Sequence, residues 1–136
     1  MLNEVLDFLK IKSGNVIVDA TVGHAGHAEA MLKNAGEKGT LIALDWDEYM
    51  LTKAEQRLKN VKGKKIFAHS DYRNLSLILQ KNDINAVDAI LFDFGVNIEH
   101  FQDTQRGFSF QTEAPLDMRM DRSTKETAAS FLNRAT

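Results

Sequence analysis

Three acidic residues stand at or just past the ends of successive apolar runs. Asp45 closes Leu41-Ile42-Ala43-Leu44, Asp71 follows Lys65-Ile66-Phe67-Ala68, and Asp93 closes Ala89-Ile90-Leu91-Phe92. An earlier run, Val16-Ile17-Val18, ends at Asp19 and opens a loop to His27 that contains Gly23 and Gly26. Glycines in such a loop let the backbone turn tightly and approach a ligand, with the unpaired N–H groups of a helix N-terminus behind them. Asp45, 22 residues after Gly23, is spaced to accept hydrogen bonds from the two hydroxyls of a ribose. Asp71 can accept from an amino group, and Tyr72 can stack on a base. Each feature has a plainer reading: a tight turn for the glycines, a helix N-cap for Asp45 (although Asp47 is better placed to cap), and simple packing for Tyr72. Asp93 either holds the glycine loop or faces a ligand, because a buried carboxylate needs a donor. Together these residues point to a nucleoside-containing cofactor without specifying which.

The elements that must position them alternate. Leu2, Val5, Leu6 and Leu9 recur at helical spacing, and Ser13-Gly14 offers a stop, so a helix is expected over 2–12. Strands are expected at 16–18, 41–44, 65–68 and 89–92, and helices over about 26–34, 47–58 and 73–81. Apolar strands separated by helices predict an α/β fold with a parallel sheet covered on both faces. Right-handed crossovers give strand order 3-2-1-4, with the ligand at the switch point between strands one and four. Residues 1–96 form this Rossmann-like domain. Residues 97–136 read as a loop or lid containing Gly107 and Pro115, then the start of a helix at 128–132. Strand four is an apolar edge, to be covered by further chain, by the segment after Asn97, by a partner or by a second copy in a homodimer.

Composition narrows the class. The 136 residues are 43% hydrophobic, enough for one small core, yet every apolar run is far shorter than the ~18 residues of a membrane span. No signal-peptide pattern is visible, so a cytoplasmic protein with no membrane association is expected. With no cysteine, and four histidines outside any ligand spacing, no metal site is expected. The net charge is −2, but residues 51–81 carry eight Lys or Arg against Glu55 and Asp71. That segment reads as a solvated helix face around Lys53, Arg57 and Lys59 in preference to an RNA surface.

Several blocks carry a family resemblance: Asp19-Ala20-Thr21-Val22-Gly23 with Gly26-His27, Asp93-Phe94-Gly95-Val96, Arg106-Gly107-Phe108-Ser109-Phe110, and Pro115-Leu116-Asp117-Met118-Arg119-Met120-Asp121. In this order they resemble the ribosomal RNA small subunit methyltransferase H family, and the last two blocks are the most specific. The resemblance implies a Rossmann-like class I methyltransferase that transfers a methyl group from S-adenosyl-L-methionine to N4 of a cytidine in small-subunit ribosomal RNA. It also implies that this stretch is truncated before the family's helical insertion and remaining strands. Cofactor contacts would fall on Gly23, Ala25, Gly26, His27, Asp45, Tyr72, Asp93 and His100. Asp93 is the candidate catalytic group, drawing on the protons of N4, while Arg106 and Arg119 would meet RNA phosphate or else pair with Asp103, Asp117 or Asp121. The sequence departs from the family at His100, where glutamine is usual, at Asn97-Ile98, where serines are common, and at Ala25. Glycine is usual at 25, so the extra methyl is expected to obstruct close approach of the cofactor. The competing reading is a shortened, non-catalytic cofactor-binding or protein-interaction module. A nicotinamide-dependent dehydrogenase is disfavoured by the missing G-x-G-x-x-G.

Overall fold

Strands β1 (Val16–Asp19) and β2 (Thr40–Asp45) are almost wholly buried, which only a sheet covered on both faces allows. The computed structural model describes residues 1–111 and 113–135, leaving Thr112 and Thr136 of the expected 97–136 segment outside the described residues. The chain divides into two compact units, Met1–Asp93 and the part from Phe94 onward.

In the first unit β1, β2, β3 (Lys64–His69) and β4 (Ala89–Leu91) form one sheet in the order β3-β2-β1-β4, every pair parallel. This is the expected α/β, Rossmann-like arrangement. Alternate side chains of the central strands enter two separate cores. Ile17, Leu41 and Ala43 pack with Met31, Leu32, Leu51 and Leu58 on one face. On the other face, Val18, Ile42 and Leu44 meet Leu75, Ile78, Leu79, Ile84 and Val87. Helix α2 (Gly26–Ala35) buries Ala28, Met31, Leu32 and Ala35. Helix α3 (Glu48–Leu58) buries Met50, Leu51, Ala54 and Leu58 behind an Asp47 N-cap that accepts from the Tyr49 N–H. Both patterns are the stripe of a helix lying on a sheet.

Element ends differ from the periodicity for local reasons. Helix α1 spans Leu2–Leu9 and stops at Lys10, whose left-handed backbone (φ 48°, ψ 42°) donates its N–H to Leu6 O. Ile11 thereby packs against the core, so the stop precedes Ser13-Gly14. The third crossover starts with a 3₁₀ turn, Tyr72–Asn74, before α4 (Leu75–Lys81). Strand β4 ends at Leu91 because its register partner is Asp19, the last residue of β1. Beyond that point the ladder has no neighbour to pair with. β4 is a sheet edge, with Ile90 and Phe92 exposed.

Among the described residues, the second unit holds two helices, α5 (Ile98–Gln102) and α6 (Ala128–Arg134). The first lies where an irregular segment was expected. Its signal is a capping box: Asn97 caps the N-terminus, and the His100 side chain accepts from the Asn97 N–H. Thr127 and Ser130 form the same device on α6. Among the described residues no helix is long and apolar enough to cross a membrane, and no cluster of His, Asp or Glu could hold a metal.

Gly63, in the turn before β3, has φ 109°, and a Cβ there would lie 2.6 Å from Leu32 Cδ1 and 3.1 and 3.2 Å from the carbonyl oxygens of Gly36 and Gly39. Backbone strain and overpacking together predict that Gly63→Ala lowers unfolding free energy by about 2–4 kcal/mol in urea titration, with an unchanged denaturant slope.

Candidate functional site

The loop between β1 and α2 is tied down from three sides. Ala20 N donates to Leu91 O (2.9 Å) and Val22 N to Leu44 O (2.8 Å), which anchors it to β4 and β2. Gly23 N donates to Asp45 Oδ2 (2.8 Å), and Asp93 N donates to Thr21 Oγ1 (2.8 Å). From α3, Arg57 Nη1 donates to His24 O (3.1 Å) while Nε pairs with Glu29 of α2 (2.7 Å). Arg57 reads in sequence as part of a solvated face, and the structure assigns it to strapping the loop.

Asp45 uses both oxygens on backbone N–H groups, Oδ2 on Gly23 and Oδ1 on Asp47 (2.9 Å). Each oxygen of a carboxylate can accept more than one hydrogen bond. Asp47, not Asp45, caps α3. Trp46, next to Asp45 and 41% exposed, was not singled out by sequence reasoning; its carbonyl oxygen lies 3.2 Å from His69 Nε2.

Ala25 is the N-cap of α2 in a left-handed conformation (φ 59°, ψ 27°). Its methyl is fully buried within the hydrophobic core, in the same cluster as Ile17, Ala28, Leu51 and Ala54. The expected obstruction is therefore corrected, since the methyl group turns inward. What alanine costs here is conformational, about 1–2 kcal/mol for a non-glycine residue in that region. At Gly26 a Cβ would meet only Arg57 Nη1, at 3.9 Å, so the start of α2 is open. His27, the next residue, is half-buried.

The buried acid of the site is Asp19, not Asp93. Asp19 is 2% exposed and accepts from the Thr21 N–H at 3.3 Å. Burial raises its carboxyl pKa to about 7; the Thr21 and Ala28 N–H groups oppose the rise, and the charges of Asp45 and Asp93 add to it. Asp93 holds the loop through its backbone N–H, and its side chain is exposed. Sequence reasoning passed over Asp19, although an acid ending the most buried strand is a visible signal.

At the end of β3, Asp71 accepts from Arg73 N, Nε and Nη2 at 2.7–2.9 Å. The Arg73 guanidinium holds its carboxyl below the usual range, so this carboxylate is engaged locally. The Tyr72 ring, 41% exposed, stands edge-on to Phe92 with centroids 5.7 Å apart. Gly23, Ala25, Gly26, His27, Asp45, Tyr72 and Asp93 thus gather at the carboxyl end of the first unit's sheet.

His100, Arg106 and Arg119 belong to the second unit. His100 is buried, stacks on Phe108 (centroids 5.3 Å apart) and accepts at Nδ1 from Asn97 N. That is a task glutamine also performs at the third helical position. Arg106 is 7% exposed and donates from Nη2 to Arg119 O (3.0 Å) and Met120 O (2.9 Å). Arg119 pairs with Asp117 through Nε and Nη2, both at 2.7 Å, and holds the Asp117 carboxyl down to about 2. Both guanidinium groups are engaged within their unit, Arg119 with Asp117 as the alternative reading had it and Arg106 with backbone carbonyls instead of an acid, and a phosphate contact would have to displace these bonds. Gly107 has φ 68°, and a Cβ there would lie 2.3 Å from Pro115 O. The two motif blocks fold against each other at that glycine.

The profile of the MraW methylase family matches residues 1–136. The chain belongs to this family. It is 42% identical over 135 residues to a ribosomal RNA small subunit methyltransferase H of Acetivibrio thermocellus and 47% identical over 133 residues to that of Persephonella marina. Each alignment covers 98% of this chain but 43% and 45% of the relative, so the chain spans less than half the length of these curated relatives. A crystal structure of a candidate rRNA-methylase from Clostridium thermocellum superposes with TM-score 0.60 at 22% identity, over 70% of this chain and 51% of that one. At that identity the likeness speaks to the fold.

Within this member of the MraW family, Asp19 makes stability depend on pH. Its folded pKa of about 7 lies above the ordinary 3.8, so below pH 4 the carboxyl is protonated in both states and costs nothing. Between pH 4 and 7 only the unfolded chain releases the proton, and stability falls. Unfolding of the chain and of Asp19→Asn, compared across that range, should show the decline only when the aspartate is present; equal pH profiles would refute it.

Proposed function

We propose that this chain forms the cofactor-binding part of an S-adenosyl-L-methionine-dependent methyltransferase acting on N4 of a cytidine in small-subunit ribosomal RNA. The observation that carries the reading is the clasp between the Gly23 N–H and Asp45 at the carboxyl ends of β1 and β2, in a chain of the MraW methylase family. The residues fit the cofactor. Asp45 would accept from the ribose hydroxyls, and the open start of α2 at Gly26 and His27 would receive the amino-acid portion. Tyr72 would lie against the adenine. The carboxylates of Asp45 and Asp93 make this end of the sheet favourable for a cation, such as a sulfonium.

When bound, the cofactor supplies an electrophilic methyl group. Everything else falls to the chain, whose task is to align the nucleophile and exclude competing geometries. The N4 lone pair of cytosine is delocalised into the ring, so an acceptor that draws on the amino protons increases its nucleophilicity. Asp93 has an exposed carboxylate on a backbone fixed by Thr21 and would be that acceptor. The base must leave its stack to reach it. The names of the relatives support ribosomal RNA as the substrate, and a ribosomal substrate goes with a cytoplasmic location.

Calorimetric titration with S-adenosyl-L-methionine should show saturable binding that Asp45→Ala weakens by about 10- to 100-fold, the worth of hydrogen bonds to a charged group. Absence of binding by the folded chain would overturn the cofactor assignment. Methylation of small-subunit ribosomal RNA, followed by nucleoside analysis, should yield N4-methylcytidine. Asp93→Asn should lower that rate by about 100-fold or more with the Kd for the cofactor changed far less. Binding without turnover would instead match the non-catalytic module.

A further inference from the structure

The opposite end of the sheet has the opposite charge. Three turns lead into β1, β2 and β3, and they pack into one surface. A Cβ on Gly14 would lie 3.9 Å from Lys38 Cβ, one on Gly36 3.8 Å from Ser13 Oγ, and one on Gly63 3.1 and 3.2 Å from the oxygens of Gly36 and Gly39. Lys10, Lys12, Lys38, Lys59, Lys62 and Lys64 all belong to these turns or border them, and all are exposed. The carboxylate within the three turns is Glu37, which pairs with Lys62. The turn before β4 carries Asp83 and Asp88, and Asp88 accepts from the Val16 N–H at the start of β1 (2.7 Å), so the lysines rather than the acids predominate around Lys10, Lys12 and the turns into β2 and β3. Ser13 and Asn60, also exposed, add neutral donors of the kind that contact phosphate and sugar oxygens.

This differs from what residues 51–81 suggest in sequence. On the α3 face, Lys53 lies over the Tyr49 ring and Arg57 is tied to Glu29 and His24. The cations that converge are those of the turns, and they come from three separated parts of the chain. Lysines on mobile stems around a polar surface suit the phosphodiester backbone, whose binding is dominated by charge and insensitive to sequence.

We infer that this lysine face is a docking surface for the phosphate backbone of the RNA substrate, at the opposite end of the sheet from the cofactor site. The six-residue β2 separates the two ends by about 20 Å at ~3.3 Å per residue. The substrate is accordingly a folded RNA large enough to reach both ends at once, and short oligonucleotides bind poorly. The inference rests on the RNA-modifying reading above.

The test measures fluorescence anisotropy of a labelled small-subunit ribosomal RNA transcript over a salt series, with calorimetry of S-adenosyl-L-methionine on the same proteins. Combining Lys38→Glu, Lys59→Glu and Lys64→Glu should weaken RNA binding by roughly 10- to 100-fold and make the log–log salt slope shallower by about 2, with cofactor affinity unchanged. The corresponding Lys→Gln variant should show a smaller loss in the same direction and serves if the reversal impairs folding, while Lys→Arg at the three positions should retain binding. Unchanged RNA affinity in a reversal variant that still binds cofactor overturns the docking surface and leaves the methyltransferase reading standing. Failure of the unsubstituted chain to bind RNA, while it binds cofactor, overturns both the docking surface and the RNA reading. Loss on Arg122→Glu with Lys125→Glu, and none on the lysine reversal, moves the RNA to the second unit and overturns it too. Tighter binding to phosphatidylglycerol vesicles than to RNA would assign the face to a membrane and also overturn it.

Discussion

All four strands of the first unit run in one direction, and the rest of that unit follows from this constraint. β1 lies between β2 and β4, with Asp19 in register with Ala43 on one side and Leu91 on the other. A parallel sheet has two chemically distinct ends, because every crossover leaves at one end and returns at the other. Acids that terminate strands therefore meet at the carboxyl end although they are far apart in sequence. By the same rule, the turns that enter the strands gather at the amino end with their lysines. The helices that make each crossover supply the two cores, Ile17 with Leu32 on one face and Val18 with Leu79 on the other.

Holding Asp19 out of water costs stability that packing offsets elsewhere. The burial has a structural counterpart in the loop above it, which is bonded to β2, β4 and α3 through Val22, Ala20, Gly23 and His24. A loop anchored on several rigid elements presents its N–H groups in one geometry, the condition for binding without a large ordering cost. Ala25 belongs to the same economy of shape: its left-handed backbone is tolerated because the methyl fills the core below. Burial of the methyl, worth about 1 kcal/mol, offsets much of the conformational penalty of about 1–2 kcal/mol.

In the second unit the two motif blocks are bonded to each other. Arg106 donates to the carbonyls of Arg119 and Met120, Met118 N returns a bond to Arg106 O, and α6 begins with Ala128 and Ala129 bonded to Asp117 and Leu116. Gly107 permits the approach that makes these bonds. An ion pair between Asp117 and Arg119, largely shielded from solvent, is stronger than one on an open surface. In a segment with little regular structure, side chains bonded to backbone groups take the place of the ladder hydrogen bonds that helices and strands provide.

Strand order, the helix stripes and the glycine loop were legible in the sequence because they rest on local spacing and on the handedness of crossovers. The capping box at Asn97 and His100 was written there too but went unread, since a five-residue helix shows almost no periodicity. Side-chain roles were not legible. That Asp19 is buried and Asp93 exposed, that Arg57 reaches the loop from another helix, and that Arg106 lies inside its unit all depend on which atoms the fold brings within a few ångströms. The sequence by itself determined the alternation of elements and the types of residue at their ends. Only the tertiary structure decided burial, hydrogen-bond partners and the gathering of three lysine-bearing turns, because these depend on distances between segments that chain spacing does not encode.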